Sequence, residues 1–140
     1  MKRLLLGDEA IAQGALDAGL SGVYAYPGTP STEITEYIQE SPLAKERGIH
    51  SRWSTNEKTA MEAALGMSYM GKRALVCMKH VGLNVCADPF VNSAMTGTNG
   101  GGECLLRNDS CLEREIVCEN CMKRKKYCLR CFGLLLIALF

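Results

Sequence analysis

Five consecutive apolar residues, Ala74-Leu75-Val76-Cys77-Met78, restrict the folding of this chain more than any other stretch. Successive side chains of a strand point to opposite faces, so a strand that is apolar at every position has to be covered on both sides. That is the pattern of a strand in a parallel sheet layered between helices, and the run has strand length rather than helix length. A second short run, Val23-Tyr24-Ala25-Tyr26, is β-branched and aromatic and is closed by the turn residues Pro27-Gly28-Thr29-Pro30-Ser31-Thr32. A third and weaker extended piece is Ile49-His50-Ser51-Arg52-Trp53.

Helical patterns lie between these runs. Ala10, Ile11, Gly14, Ala15 and Ala18 recur at helical spacing, with Gly19 as a C-terminal stop. Thr29 as N-cap with Pro30 at the first helical position suits a second helix, whose apolar residues are Ile34, Tyr37 and Ile38 and which Pro42 ends. Ala60, Ala63, Ala64, Met67 and Gly71 share one face of a third, small enough to pack close to a neighbour. Ala87 to Met95 forms a fourth, with Pro89 limiting where it begins, and Gly97 to Gly102 is a turn or link. Strands alternating with helices give an α/β domain with a parallel sheet and flanking helices, whose ligand crevice lies outside the carboxyl ends of the strands. Three loops meet that description: Tyr26 to Thr32, Trp53 to Glu57, and Lys79 to Asn84.

The chain has 140 residues, enough for one domain, and 47% apolar residues suffice for a core. Sixteen basic and fifteen acidic residues leave a net charge of +1, which argues against nucleic acid or a membrane surface as partner. Asp8 and Glu9 interrupt the opening Met1-Lys2-Arg3-Leu4-Leu5-Leu6 before it reaches the length of an export signal, so the expected compartment is the cytoplasm.

Within the second loop, Ser54, Thr55 and Asn56 can each turn a side-chain oxygen onto the amides of a first helical turn, which places Glu57 in that turn. A carboxylate there is favoured by the helix dipole, and for an arbitrary glutamate capping is the ordinary role. Thr29 has an equally ordinary role as the N-cap named above, Lys79 and His80 that of a solvated pair at a strand end, and Trp53 that of a packing residue.

Taken together and in order, Tyr26-Pro27-Gly28-Thr29-Pro30-Ser31, Trp53-Ser54-Thr55-Asn56-Glu57-Lys58 and Met78-Lys79-His80-Val81-Gly82-Leu83-Asn84 resemble the N-terminal part of the 2-oxoacid:ferredoxin oxidoreductases, most of all the alpha subunits of their indolepyruvate branch. The opening Leu6 to Ala15 is similar to the same family, so the resemblance covers about residues 4–102. It implies the pyrimidine-binding domain of a thiamine diphosphate enzyme that decarboxylates aryl 2-oxo acids oxidatively and passes electrons to ferredoxin. Glu57 matches the family's catalytic glutamate, which hydrogen-bonds a ring nitrogen of the pyrimidine and so promotes proton loss at the thiazolium carbon. Thr29, Lys79 and His80 match positions facing the 2-oxo acid, and Tyr26, Pro27, Gly82 and Asn84 join Glu57 in holding the cofactor. The resemblance further implies a magnesium ion with the diphosphate in a domain not represented here, iron-sulfur clusters elsewhere in the full subunit, a second (beta) subunit and an oligomer. A thiamine diphosphate decarboxylase of 2-oxo acids is the alternative within the same chemistry.

After Gly102 the likeness ends. Residues 103–140 hold six of the eight cysteines, the basic run Lys123-Arg124-Lys125-Lys126 and an apolar end, a composition that suggests a shifted reading frame. The competing reading is a small zinc or nucleic-acid module, with Cys118, Cys121, Cys128 and Cys131 as two paired-thiolate knuckles. Their spacing is tighter than the roughly 15–20 residues between the knuckles of a zinc ribbon. The expectation is therefore an oxidoreductase fragment, 1–102, inactive alone, carrying an unrelated tail that adds little to folding.

Overall fold

The computed structural model describes residues 4–29, 31–97, 103–107 and 135–139. Along the chain run α1 (Gly7–Asp17), β1 (Gly22–Ala25), α2 (Thr32–Glu40), α3 (Pro42–Glu46), β2 (His50–Trp53), α4 (Glu57–Tyr69), β3 (Ala74–Met78), α5 (Gly82–Val85), α6 (Ala87–Thr96), β4 (Glu103–Arg107) and β5 (Leu135–Leu139). The sheet order is β2-β1-β3-β5-β4, with β1 parallel to both β2 and β3. The α/β expectation holds, and the reason is visible in β3, whose five residues are all buried.

Two cores form because strand side chains alternate. Val23, Ala25, Leu75 and Cys77 point to one face and meet Ala12, Ala15 and Leu16 of α1 and Ile34 and Ile38 of α2. Tyr24, Ala74, Val76 and Met78 point to the other and meet Ala60, Met61, Ala64 and Leu65 of α4, with Cys86 beside them. Fully burying one Leu, Ile or Val side chain contributes about 1.5–3 kcal/mol, so each layer is held by several such terms. Where α4 faces β1, the end of the Met67 side chain occupies the space in front of Gly22, and a Cβ there would displace it.

Helix boundaries depart from the expectations in four places. The buried face of α1 is Ala12, Ala15 and Leu16, while Ala10, Gly14 and Ala18 are exposed. Because alanine and glycine carry little apolar surface, the larger Leu16 decides which side turns inward. Gly71 does not lie on the face of α4 but follows its end at φ +74°, the left-handed conformation that terminates a helix. Pro42 ends α2 and also begins the unexpected α3, where a missing amide hydrogen costs nothing at the first position. Finally, α2 starts at Thr32 with Ser31 as its N-cap, so Thr29 does not cap it.

The tail meets the sheet. β5 pairs antiparallel with β3, from Leu75 opposite Leu139 to Met78 opposite Leu136, and β4 pairs antiparallel with β5. An apolar central strand needs backbone partners on both edges, and here Leu135–Leu139 supplies the second. Cys118, Cys121, Cys128 and Cys131 lie outside the described residues. No helix among the described residues is long and apolar enough to cross a membrane.

Candidate active site

The order β2-β1-β3 means that the chain leaves β1 toward one side of the sheet and later returns on the other side to form β3. The loops after β1 and β3 therefore diverge at the carboxyl end of the sheet, the place where such sheets open a crevice. They also touch there. A Cβ on Gly28 would lie 3.4 Å from Cβ of Lys79, so the turn after β1 packs directly on the residue that leaves β3. The turn is held from within: Ser31, almost wholly buried, donates through Oγ to the Gly28 carbonyl at 2.8 Å, and the Gly28 amide donates to Thr32 Oγ1 at 3.1 Å.

Glu57 enters this region from the third loop. Asn56 is extended, and its Oδ1 accepts from the Thr59 amide at 2.9 Å, while the Thr59 hydroxyl donates to the Asn56 carbonyl at 2.9 Å. Of the three polar residues before the helix, Asn56 is thus the N-cap, and it fixes Glu57 as the first residue of α4. Glu57 is only 7% exposed, unlike the capping acid of a solvated helix end. Its carboxylate accepts no hydrogen bond from the described residues. The adjacent cation does not serve it either, because Lys58 Nζ reaches Asp88 at 2.9 Å and Glu62 at 3.9 Å, tying α4 to α6. Glu57 lies instead against Gly82, where a Cβ would come 2.6 Å from its Cγ and 2.7 Å from Oε1. Behind it, burial pushes the Cys86 thiol up to about 11, and the Glu57 carboxylate adds to that rise.

The structure thus brings together Gly28 with Lys79, and Glu57 with Gly82, with Lys79 and Gly82 on one short connection closed by the Gly82 amide donating to the Lys79 carbonyl at 2.8 Å. Tyr26 is 41% exposed at the end of β1 and, by strand alternation, shares the face of Tyr24 and α4. Pro27, Thr29, Lys79 and His80 are exposed on the same rim, and no hydrogen bond to Thr29 occurs among the described residues. Asn84 is exposed on α5, a short helix where a loop is expected, and its amide donates to the Val81 carbonyl at 3.3 Å. Trp53 is 38% exposed on β2, which has no strand beyond it among the described residues. Cys86 is the neighbour that the motif reading missed, although its position four residues after Gly82 puts it on the same helical face. A separate depression of about 220 Å³ between α4 and α6, lined by Glu62, Leu65, Tyr69, Asp88, Pro89 and Asn92, contains none of these residues.

A nearly buried carboxylate to which no described residue donates a hydrogen bond keeps its lone pairs available to a proton-sharing group. Among the described residues no group of three or more His, Cys, Asp or Glu side chains could hold a metal ion.

Comparison with known proteins gives this site a context. No family model matches the chain. The indolepyruvate oxidoreductase subunit IorA of Thermococcus kodakarensis is 48% identical over 106 residues, covering 76% of this chain and 16% of that subunit. The subunit of the same name from Pyrococcus horikoshii is 50% identical over 100 residues, or 71% of this chain and 15% of the relative. A more distant relative, the ketoisovalerate oxidoreductase subunit VorA of Pyrococcus horikoshii, is 36% identical over 83 residues, 59% of this chain and 21% of its own length. The chain therefore spans about one sixth of the length of the IorA relatives it matches. Over about 75% of its length it is a partial IorA-like segment, homologous to part of a 2-oxoacid oxidoreductase subunit.

Proposed function

We propose that residues 4–102 are the part of an indolepyruvate oxidoreductase alpha subunit that receives the aminopyrimidine half of thiamine diphosphate, and that Glu57 is its catalytic carboxylate. The observation that carries this reading is the Glu57 side chain itself, 7% exposed, unbonded by the described residues and seated on Gly82 at the carboxyl end of the sheet. The site suits the cofactor's pyrimidine by that carboxylate, which the backbone of Gly82 lets lie close against α5. When bound, thiamine diphosphate supplies the carbanion chemistry that releases the carboxyl group of a 2-oxo acid.

The chain's own residues then divide the work. Glu57 would hydrogen-bond a pyrimidine ring nitrogen and share a proton with it. Tyr26 and Pro27, at the end of β1, and Asn84, on α5, would help to hold the pyrimidine. Lys79 and His80 would offer donors to the substrate carboxylate, and the Thr29 hydroxyl, which does not cap α2, would donate to it as well. The remaining five sixths of an IorA-length subunit would supply the magnesium and diphosphate site, the iron-sulfur clusters and the contacts to ferredoxin and a beta subunit. On this reading the 140-residue chain alone has no oxidoreductase activity and binds thiamine diphosphate weakly.

The test is replacement. Residues 4–102 exchanged into the full-length Thermococcus kodakarensis subunit, with its partner subunit present, should retain oxidation of indolepyruvate. A folded chimera without activity, or tight magnesium-dependent binding of thiamine diphosphate by the 140-residue chain alone, contradicts the proposal.

A further inference from the structure

We propose that Gly82 is a positioning residue for Glu57, present because the carboxylate needs the volume that any side chain at 82 would fill. The inference rests on the reading of Glu57 given above and adds the device that holds it in place. Gly82 is the first residue of α5, and it is absent from the glycines with positive φ among the described residues, Gly19, Gly48, Gly71 and Gly97. Its backbone conformation is thus open to any L residue. In such a setting glycine has no conformational advantage over alanine and loses more chain freedom on folding. The local preference is overridden by space. A Cβ at 82 would stand 2.6 Å from Glu57 Cγ, 2.7 Å from Oε1 and 2.9 Å from Cδ, all closer than side chains tolerate.

Which partner would yield is also determined. The Gly82 backbone is pinned at both ends, its amide donating to the Lys79 carbonyl at 2.8 Å and its carbonyl accepting from the Cys86 amide at 3.0 Å. Lys79 in turn packs on Gly28. Glu57 has three rotatable bonds and no hydrogen bond from the described residues, so a methyl group at 82 turns the carboxylate out of its place. Gly66, a glycine inside α4 with open space where its Cβ would be, provides the contrast.

A double-mutant cycle in the 140-residue chain tests this without any cofactor. Gly82→Ala should lower the denaturation midpoint when Glu57 is present and raise it in a Glu57→Ala background, where the volume is vacant. Gly66→Ala should raise it in both. Carboxyl-carbon NMR, with the Glu57 signal assigned by Glu57→Gln, should show that signal displaced by Gly82→Ala and unmoved by Gly66→Ala. If Gly82→Ala prevents folding, the Glu57→Ala, Gly82→Ala double variant should fold again. The same direction of change in both backgrounds, an unmoved Glu57 carboxyl signal, or a double variant that also fails to fold would overturn the proposal. A positive cycle combined with a catalytically dispensable Glu57 would leave the positioning intact and remove the assigned chemistry instead.

Discussion

Replacing Asn56 with alanine removes the group that starts α4 and sets Glu57 at its head. The Asn56 Oδ1 bond to the Thr59 amide is 2.9 Å, a full-strength cap, whereas the reverse contact from the Asn56 amide to Thr59 Oγ1 is 3.4 Å and contributes little. One good bond is lost, not two. The expected cost is therefore about 1 kcal/mol, the middle of the range for exchanging an N-cap for alanine, and in a chain of this size the thermal midpoint falls by about 3–5 °C. Asn56→Gly should cost only a few tenths of a kcal/mol, since the free amide can be hydrated and glycine is itself an acceptable N-cap. Differential scanning calorimetry of the three chains makes the comparison. An alanine variant as stable as the parent, or a glycine variant worse than alanine, would refute the assignment of Asn56 as the residue that nucleates α4.

Deleting residues 135–140 removes the strand that pairs with β3, so the shortened chain should melt earlier and scatter more light on heating; unchanged melting would show that the β3 edge needs no such partner. Burial raises Cys77 from 9.0 to about 12 and Cys86 from 9.0 to about 11, so the folded state keeps protons that the unfolded chain loses above pH 9. Stability from these two groups is full below that pH and is lost as pH rises through 11 and 12, and denaturant midpoints should decline less steeply over that window in Cys77→Ala. Lys58→Ala removes two ion pairs of exposed side chains and should leave the midpoint unchanged within error, because such pairs are screened by water and salt. A clear fall would mean that the contact to Asp88 carries the α4–α6 packing.

The layered fold was legible because a strand buried on both faces leaves few architectures, and β3 is apolar at every position. The helix faces were less so. In α1 the candidates were alanines and glycines, whose burial is decided by tertiary fit rather than by their own hydrophobicity, and Leu16 shifted the face. The start of α2 was misplaced because Pro30 is suited to a first helical position, yet Ser31 is buried and bonded to Gly28, which delays the helix to Thr32. For the site, the sequence pointed to Glu57 and Gly82 as separate positions. That one exists to leave room for the other depends on α5 folding back against the head of α4, a long-range fact without a local signal. The pairing of β5 with β3 was hidden for the same reason, since an apolar run does not state which edge it will meet.

The central claim is that Glu57 shares a proton with the cofactor's pyrimidine, and hydrogen-deuterium exchange at the thiazolium carbon reports on that step. In a full-length subunit carrying this segment, Glu57→Gln keeps the size of the side chain but cannot share the proton, and exchange should slow by about two to four orders of magnitude with the cofactor still bound. Exchange at the parental rate in Glu57→Gln, with the cofactor bound, would contradict the account.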